Sequence, residues 1–152
     1  MNMNALELKI PPPLVWLVCA ALVWQTAATL PGQVQLWPWL VWLPILGSLV
    51  LGFPAVRAFV RAQTTVHPHQ PSRSSSLVTG GVYRVSRNPM YLALALLLLA
   101  WVLYWGNILG LVWLAVFVLY ITRFQIVPEE RALAAKFGQA YRDYCERVRR
   151  WI

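Results

Sequence analysis

The chain has 152 residues, of which 59% are hydrophobic and 12% are charged, and its formal net charge is +8. Soluble domains usually carry about 25% charged residues, so this composition argues against a soluble globular protein and against a disordered chain. Charged residues are absent from Ile10–Val56 and from Asn88–Thr122, and uncharged stretches of this length are typical of membrane-embedded segments. The length allows one domain, and we expect an all-α integral membrane protein.

Four apolar segments are candidates for transmembrane helices, which need about 20 residues to cross the bilayer. They are Leu14–Leu30, Trp39–Phe59, Met90–Trp105 and Ile108–Val127. Pro44 and Pro54 lie inside the second segment, where we expect a kink and not a break. The third segment is short, Gly106-Asn107 predicts a tight turn after it, and Pro128 predicts the end of the fourth.

The placement of basic residues predicts the orientation of these four spans. All thirteen lie on one side of the predicted membrane, at Lys9, Arg57, Arg61, Arg73, Arg84, Arg87, Arg123, Arg131, Lys136, Arg142, Arg147, Arg149 and Arg150. Basic residues near span ends favour the cytoplasmic side, so we expect a multi-pass protein with both termini in the cytoplasm, in the plasma membrane if the source is bacterial. One alternative stays open: Lys9, the apolar run after it and Thr26-Ala27-Ala28 also fit a cleaved signal peptide.

Cysteine and histidine positions predict neither a disulfide nor a metal site. Cys19 falls within the first span and Cys145 in the cytoplasmic tail, so we expect both thiols to be free. His67 and His69 form an isolated His-x-His between prolines, which we interpret as solvated loop residues because no further ligands accompany them. No motif predicts a nucleic-acid partner.

The segment after Pro128 has the pattern of an amphipathic helix. Apolar side chains recur at helical spacing, at Leu133, Phe137, Tyr141, Tyr144, Val148 and Trp151. Gly138 is expected to bend or split this helix. Such a basic segment lies along a membrane surface or over the cytoplasmic ends of the spans, and a purely anchoring role remains the simpler interpretation.

The stretch Leu77–Tyr91 has the residues of a ligand-binding loop. Gly80-Gly81 allows a positive φ or close approach of a ligand. Asn88-Pro89 predicts a helix start with the asparagine side chain as cap, and the free N–H groups there favour an anion. Glu129-Glu130 follows the fourth span, where an ordinary acidic first turn is the alternative to a binding role.

Taken together and in this order, these motifs resemble the isoprenylcysteine carboxyl methyltransferase family and its relatives, the membrane phospholipid N-methyltransferases. The resemblance covers Thr64–Ile152 and rests on the glycine-containing loop, the Arg-Asn-Pro-Met-Tyr run, the glutamate pair and the C-terminal aromatic pattern. It implies an integral membrane enzyme that uses S-adenosyl-L-methionine in a cytoplasmic-facing pocket. Eukaryotic carboxyl methyltransferases have histidine where Asn88 stands, whereas the phospholipid group and many prokaryotic members have asparagine.

Matched residue by residue, the resemblance implies which positions bind the cofactor. Gly81 joins them because it belongs to the Gly80-Gly81 pair of the loop. The cofactor-binding candidates are Leu77, Val78, Gly81, Tyr83, Asn88, Pro89, Met90, Tyr91, Glu129 and Glu130. Methyl transfer needs alignment and desolvation more than acid–base groups. The catalytic candidates are Arg87 and Arg123, which would position a carboxylate acceptor, and Glu130, which would take a proton from an amine. Simple anchoring, positive-inside and snorkelling roles stay open for the tyrosines and arginines.

The expected function is therefore S-adenosylmethionine-dependent methyl transfer, as carboxylate O-methylation or amine N-methylation. The expected partners are the lipid bilayer and a lipophilic or lipid acceptor, and the oligomeric state is left open. The alternative is a non-enzymatic membrane scaffold or accessory protein with the same fold. One domain is expected over 1–152, comprising two spans (1–60), a cofactor loop (61–89), a hairpin of two spans (90–127) and a C-terminal segment (128–152), with Ser72–Ser76 as a flexible lid.

Overall fold

The structure is a computed structural model that describes residues 7–34, 37–61 and 77–152. Over these ranges the chain forms α1 (Pro12–Thr29), α2 (Trp42–Arg61), α3 (Pro89–Trp105), α4 (Leu111–Ile121), α5 (Val127–Phe137) and α6 (Gln139–Arg147). Short 3-10 turns occupy Pro38–Val41, Gly81–Arg84 and Ile108–Gly110, and a π-helical segment, Thr122–Ile126, joins α4 to α5. The described residues contain one isolated bridge and no strand, which confirms the all-α prediction. The predictions for His67, His69 and Ser72–Ser76 lie outside the described residues.

The predicted apolar segments are helical. Three helical stretches are long and apolar enough to cross a membrane, at Pro12–Thr29, Pro38–Ala58 and Ile108–Phe137, and α3 is apolar but shorter. Helix α2 continues through Pro54 without a break, as predicted, while the kink stays a prediction. Its large side chains, including Leu46, Leu49 and Phe53, are exposed, which is the pattern expected of a surface that faces lipid.

Helix α3 is the central helix and packs against α1, α2 and α4. The contact with α2 is close because it is made by small residues: a Cβ on Gly47 would lie 3.2 Å from Leu96, and one on Gly52 would lie 3.2 Å from the Cβ of Ala93. Small residues allow helices to approach closely in membranes. Ala55, one turn further along α2, is fully buried.

Indole groups fix the position of α1 against α3. The Trp16 Nε1 donates to the carbonyl of Leu94 at 3.0 Å, and the Trp101 Nε1 donates to the carbonyl of Ala20 at 3.0 Å. In an apolar environment each such donor needs a partner, because a buried polar group without one is costly. The two bonds therefore specify the register of these helices.

The fourth apolar helix continues through Pro128 to Phe137, so the prediction that it ends at Pro128 is wrong. The preceding segment is π-helical, and the N–H of Val127 bonds to the carbonyl of Thr122. This wider turn places Pro128 in the first turn of α5, where a missing N–H is tolerated. Glu129 and Glu130 consequently lie on a helix that is continuous with the apolar part.

The C-terminal apolar stripe packs against the rest of the protein, with three of its six residues buried and three partly buried. Gly138 has φ +53 and separates α5 from α6, and the chain becomes extended at Val148. Tyr141, Tyr144 and Val148 form a buried cluster with Tyr83 and Ala55, while Trp151 packs against the core of α1, α3 and α4. The stripe therefore covers one end of the helices and does not stand apart from them.

Candidate functional site

Residues 148–152, the C-terminal tail, are bonded to the segment that precedes α3. The N–H of Arg87 donates to the carbonyl of Arg149 at 3.0 Å. The side chain of Asn88 donates from Nδ2 to the carbonyl of Arg150 at 3.0 Å, and the Ser86 hydroxyl donates to the same carbonyl at 3.4 Å. The tail and the loop therefore form one unit at this end of the helices.

Helix α3 begins at Pro89, as predicted, but the predicted side-chain cap at Asn88 is wrong. No side-chain hydrogen bond of Asn88 caps the helix, because its amide is engaged with the tail. Its backbone N–H donates to the Ser86 hydroxyl at 3.0 Å, and its carbonyl accepts from the N–H of Leu92. The asparagine thus stands at the cap position while its side chain holds the tail.

Glu130 is the centre of an ion-pair cluster. Arg150 contacts both of its carboxylate oxygens, with Nε at 3.0 Å from Oε1 and Nη2 at 2.7 Å from Oε2. The Nη2 of Arg87 lies 3.0 Å from Oε1. Bidentate arginine–carboxylate bonds are among the stronger hydrogen bonds in proteins, and the bond to Glu130 raises the pKa of Arg150. The cluster connects α5, the loop before α3 and the tail.

Glu129 is in a different situation from Glu130. Its side chain is partly buried, and its Oε1 accepts a hydrogen bond of 2.5 Å from the hydroxyl of Tyr91. Among the described residues, the arginine–carboxylate ion pairs go to Glu7 and Glu130, and none goes to Glu129. A partly buried carboxylate without a cation is unfavourable, so this position suits a positively charged ligand group.

Tyr83 also lies near this carboxylate, and Tyr144 is bonded to Tyr83. The hydroxyl of Tyr144 donates to the carbonyl of Tyr83 at 2.6 Å in a buried contact. Burial raises the pKa of Tyr83, and the charge of Glu129 raises it further. Burial also raises the pKa of Tyr144, to about 12. Both phenols therefore stay protonated at neutral pH, and the Tyr144 hydroxyl acts as a hydrogen-bond donor and not as a base.

Most of the predicted cofactor residues converge at this end of the helices. Leu77, Val78 and Met90 pack against the buried cluster that contains Tyr83. Gly81 is exposed, has φ +62 and has open space where a Cβ would point, so backbone conformation explains the glycine. Whether these residues hold a cofactor stays a prediction, but their proximity fits one site.

The structure places the predicted catalytic residues in two different ion-pair clusters. Arg87 joins Glu130, as described above, whereas Arg123 lies in an ion pair with Glu7, with 2.6 Å between Nη1 and Oε1. Arg131 pairs with the same carboxylate, and these contacts lower the pKa of Glu7, the hydrogen bond from Arg123 most of all. Arg123 therefore fastens the segment that precedes α1 and is not part of the Glu130 cluster.

Sequence reasoning missed the residues through which the tail joins the site. Ser86 is fully buried and Arg150 holds Glu130, yet neither was a candidate. A sequence signal existed for Ser86, because a serine two residues before Asn88 predicts the local turn in which its hydroxyl accepts a backbone N–H. No comparable signal marks Arg150, which resembles the other basic residues near it.

A cavity of about 340 Å³ lies beside Tyr144. Its lining residues come from the loop before α3, from α6 and from the tail, namely Thr79, Gly80, Arg84, Tyr144, Arg147 and Val148. Small-molecule sites usually have volumes of about 300–1,000 Å³. The cavity is therefore large enough for part of a ligand.

The fold and the site define a class: a protein of apolar helices with charged and polar side chains concentrated at one end. The sequence profile of the phospholipid methyltransferase family matches residues 39–140, and the chain belongs to this family. A protein of Haemophilus influenzae described as uncharacterized is 51% identical over 63 residues, which are 41% of this chain and 100% of that relative. The family assignment confirms the resemblance that the motifs indicated and implies a membrane methyltransferase.

Proposed function

We propose that the protein transfers the methyl group of S-adenosyl-L-methionine to a lipophilic or membrane-associated acceptor at the cytoplasmic face of the membrane. The observation that carries the proposal is Glu129, a partly buried carboxylate that no arginine of the described residues pairs. The cofactor has two cationic groups, an ammonium and a sulfonium. A carboxylate and aromatic rings at one place suit both groups.

The two neighbouring glutamates have separate roles in this proposal. Glu129, with the hydroxyl of Tyr91 at 2.5 Å, holds a cationic group of the cofactor. Glu130 has both oxygens occupied by Arg87 and Arg150, so it positions the surrounding segments. Neutral tyrosines complete the walls of the site, and burial there excludes water.

When bound, S-adenosylmethionine supplies a methyl group, which forms a bond to an acceptor oxygen or nitrogen while the S–CH₃ bond breaks and its electron pair stays on sulfur. The protein's part is alignment of the two reactants. A carboxylate acceptor needs no base for this reaction, and an amine acceptor reacts in its neutral form. The absence of a paired acid and base at Glu129 is therefore compatible with the chemistry.

Calorimetric titration of the full-length protein in detergent, with S-adenosylmethionine and with S-adenosylhomocysteine, tests the proposal. We expect Glu129→Gln to weaken binding about 10- to 150-fold, since a hydrogen bond to a charged group contributes roughly 1.5–3 kcal/mol. The matched control is Glu146→Gln, which changes an exposed carboxylate of α6 and should bind like the wild type.

The two ligands also distinguish which group Glu129 contacts. Loss of affinity for both indicates the ammonium, and loss for S-adenosylmethionine alone indicates the sulfonium, which the homocysteine product lacks. If the wild-type protein binds neither ligand, the proposal fails and the scaffold alternative is favoured. If Glu129→Gln binds both as tightly as the wild type, Glu129 has been misassigned.

A further inference from the structure

The residues that precede α1 contact the π-helical segment that joins α4 to α5. The N–H of Leu8 donates to the carbonyl of Phe124 at 3.0 Å. The Nε2 of Gln125, whose side chain is fully buried, donates to the carbonyl of Ile10 at 2.8 Å. We call residues 7–10 the N-terminal strap, because these bonds hold the segment against the π-helical turn.

The bond from Leu8 replaces one that the helix itself cannot make. In an α-helix the carbonyl of Phe124 would accept the N–H of the residue four positions later, which is Pro128. Proline has no N–H, and its ring crowds the carbonyl four residues before it. A backbone carbonyl needs a donor, and Leu8 supplies one. The strap is therefore a part of the turn from which α5 begins.

Leu8 has a backbone conformation that few residues with side chains adopt. Its φ is +57, in the left-handed region, where the β-carbon comes too close to the following carbonyl oxygen. Such a conformation persists only where the surrounding structure holds it. The bond to Phe124 and the ion pairs of the neighbouring Glu7 hold it here.

Three successive residues of α5 are contacted from different sides. Glu129 accepts from the hydroxyl of Tyr91, and Glu130 contacts the two arginines of the ion-pair cluster. Arg131 pairs with Glu7 of the strap. Successive residues of an α-helix point about 100° apart, so the three contacts together oppose rotation of α5 about its axis. Two of the contacts belong to the candidate site, and the third belongs to the strap.

We propose that Glu7 is a positioning residue, which holds α5 in the rotation at which Glu129 meets Tyr91. One carboxylate oxygen contacts Arg123 of the π-helical turn at 2.6 Å, and the other contacts Arg131 of α5. Glu7 thus joins the turn to the helix that follows it. Without this connection α5 can turn, and both glutamates lose their contacts in the site.

The effect of the strap on α5 does not depend on which ligand the site takes. The inference rests on the proposed function only where cofactor affinity is measured. The strap also precedes residues 39–140, which match the family, so membership of the family does not assign it a role.

Amide hydrogen exchange of the full-length protein in detergent, followed residue by residue, tests the positioning. Glu7→Gln removes both ion pairs of the strap. We expect exchange about 2- to 30-fold faster at Val127, whose N–H bonds across the turn, and at Arg87, whose N–H bonds to the tail. If Glu7 only attaches the N-terminal segment, exchange rises at Leu8 and not at Arg87.

Two further variants define the connection. Arg131→Gln breaks the contact between the strap and α5 and should reproduce the faster exchange at Arg87. Lys9→Gln is the matched control, because it changes an exposed charge of the same strap and should exchange like the wild type. Unchanged exchange at Arg87 in both Glu7→Gln and Arg131→Gln, or an equal increase in Lys9→Gln, would overturn the proposal.

Calorimetric titration with S-adenosylhomocysteine then measures whether the positioning reaches Glu129. We expect Glu7→Gln and Arg131→Gln to bind about 2- to 30-fold more weakly, and Lys9→Gln to bind like the wild type. Faster exchange at Arg87 with unchanged affinity would overturn the positioning of Glu129. If the wild type does not bind this ligand, the proposed function fails, and exchange at Arg87 alone decides whether Glu7 positions α5.

Discussion

The two ends of the helical bundle are closed by different chemistry. At the far end, Val34 donates its N–H to the carbonyl of Gly106 at 2.6 Å, and Gln33 forms a bridge with Asn107. Asn107 is buried, its Nδ2 donates to the carbonyl of Leu30 at 3.2 Å, and its Oδ1 accepts from the N–H of Leu109 at 3.0 Å. Every group in this closure is uncharged, and every hydrogen bond serves the loop connections.

At the site end, charged groups take part in the closure beside neutral hydrogen bonds. Arg87, Glu130 and Arg150 join the loop, α5 and the tail, and Glu129 is left without a cation beside them. Neutral amides hold two segments together without attracting an ion, whereas uncompensated charges attract one. The difference indicates that the far end serves architecture and that ligand chemistry belongs to the end where the charges lie.

The largest expected effect follows from breaking the charged closure. Glu130→Gln removes the carboxylate that holds Arg87 and Arg150, and we expect a loss of about 3 kcal/mol in the free energy of unfolding, the upper range for hydrogen bonds to charged groups. Amide hydrogen exchange should rise at Arg87, whose N–H donates to the carbonyl of Arg149, because the tail loses its ion pair with α5. Thermal unfolding in detergent measures the first effect.

A control variant shows whether geometry or charge matters in this cluster. Arg150→Lys keeps the charge but cannot form the two parallel bonds to Glu130, so an intermediate loss is expected. Unchanged melting temperatures in both variants would mean that solvent screens the cluster, as it does for many surface ion pairs.

The next effect concerns the neutral closure. Gly106 has φ +62, and a Cβ there would lie 2.8 Å from the carbonyl oxygen of Val34, so Gly106→Ala should cost about 1–2 kcal/mol of stability. Gly80→Ala is the matched control, because it has a negative φ and open space around the added carbon, and it should leave the melting temperature unchanged.

The loss of stability in Gly106→Ala should leave cofactor binding unchanged. The far end lies at the opposite end of α3, about 25 Å from the site for a helix of this length, so S-adenosylhomocysteine affinity should match the wild type. A Gly106→Ala protein that is folded at the assay temperature but binds the ligand more weakly would show that the two ends are coupled.

Much of the membrane part could be predicted from the sequence, because proline and glycine determine helix ends through backbone geometry alone. Helix α3 begins at Pro89 and ends before Gly106, as the residues indicated. Pro128 misled the prediction because the π-helical turn before it depends on the rest of the fold. In that turn the carbonyl of Phe124 accepts the N–H of Leu8, a contact across the chain that no local pattern specifies.

The sequence could predict most residues of the candidate site but not which of them contact each other. Both glutamates were candidates, yet adjacent residues on a helix point about 100° apart, so the sequence did not determine which one meets Tyr91 and which one meets Arg150. The extended tail was hidden as well, because Val148 and Trp151 continue the helical spacing that ends structurally at Arg147. The bonds from Ser86 and Asn88 to the tail follow from that extended conformation.

The smallest effect in this series compares one asparagine at each end. Asn88 donates from Nδ2 to the carbonyl of Arg150 at 3.0 Å, and Asn107 donates from Nδ2 to the carbonyl of Leu30 at 3.2 Å. An ionised aspartate accepts hydrogen bonds only, so Asn88→Asp and Asn107→Asp each lose one bond. The loss should cost about 1 kcal/mol at the partly buried Asn88, and more at Asn107, where the new charge would be buried. Simple capping at Asn88 predicts no loss, because aspartate is as good a cap as asparagine. Melting temperatures therefore separate the two interpretations, and an Asn88→Asp protein as stable as the wild type would restore the capping role.

Only Asn88→Asp should also weaken S-adenosylhomocysteine binding, since it loosens the tail that positions Glu130, whereas equal binding losses in both variants would contradict the division of roles between the two ends.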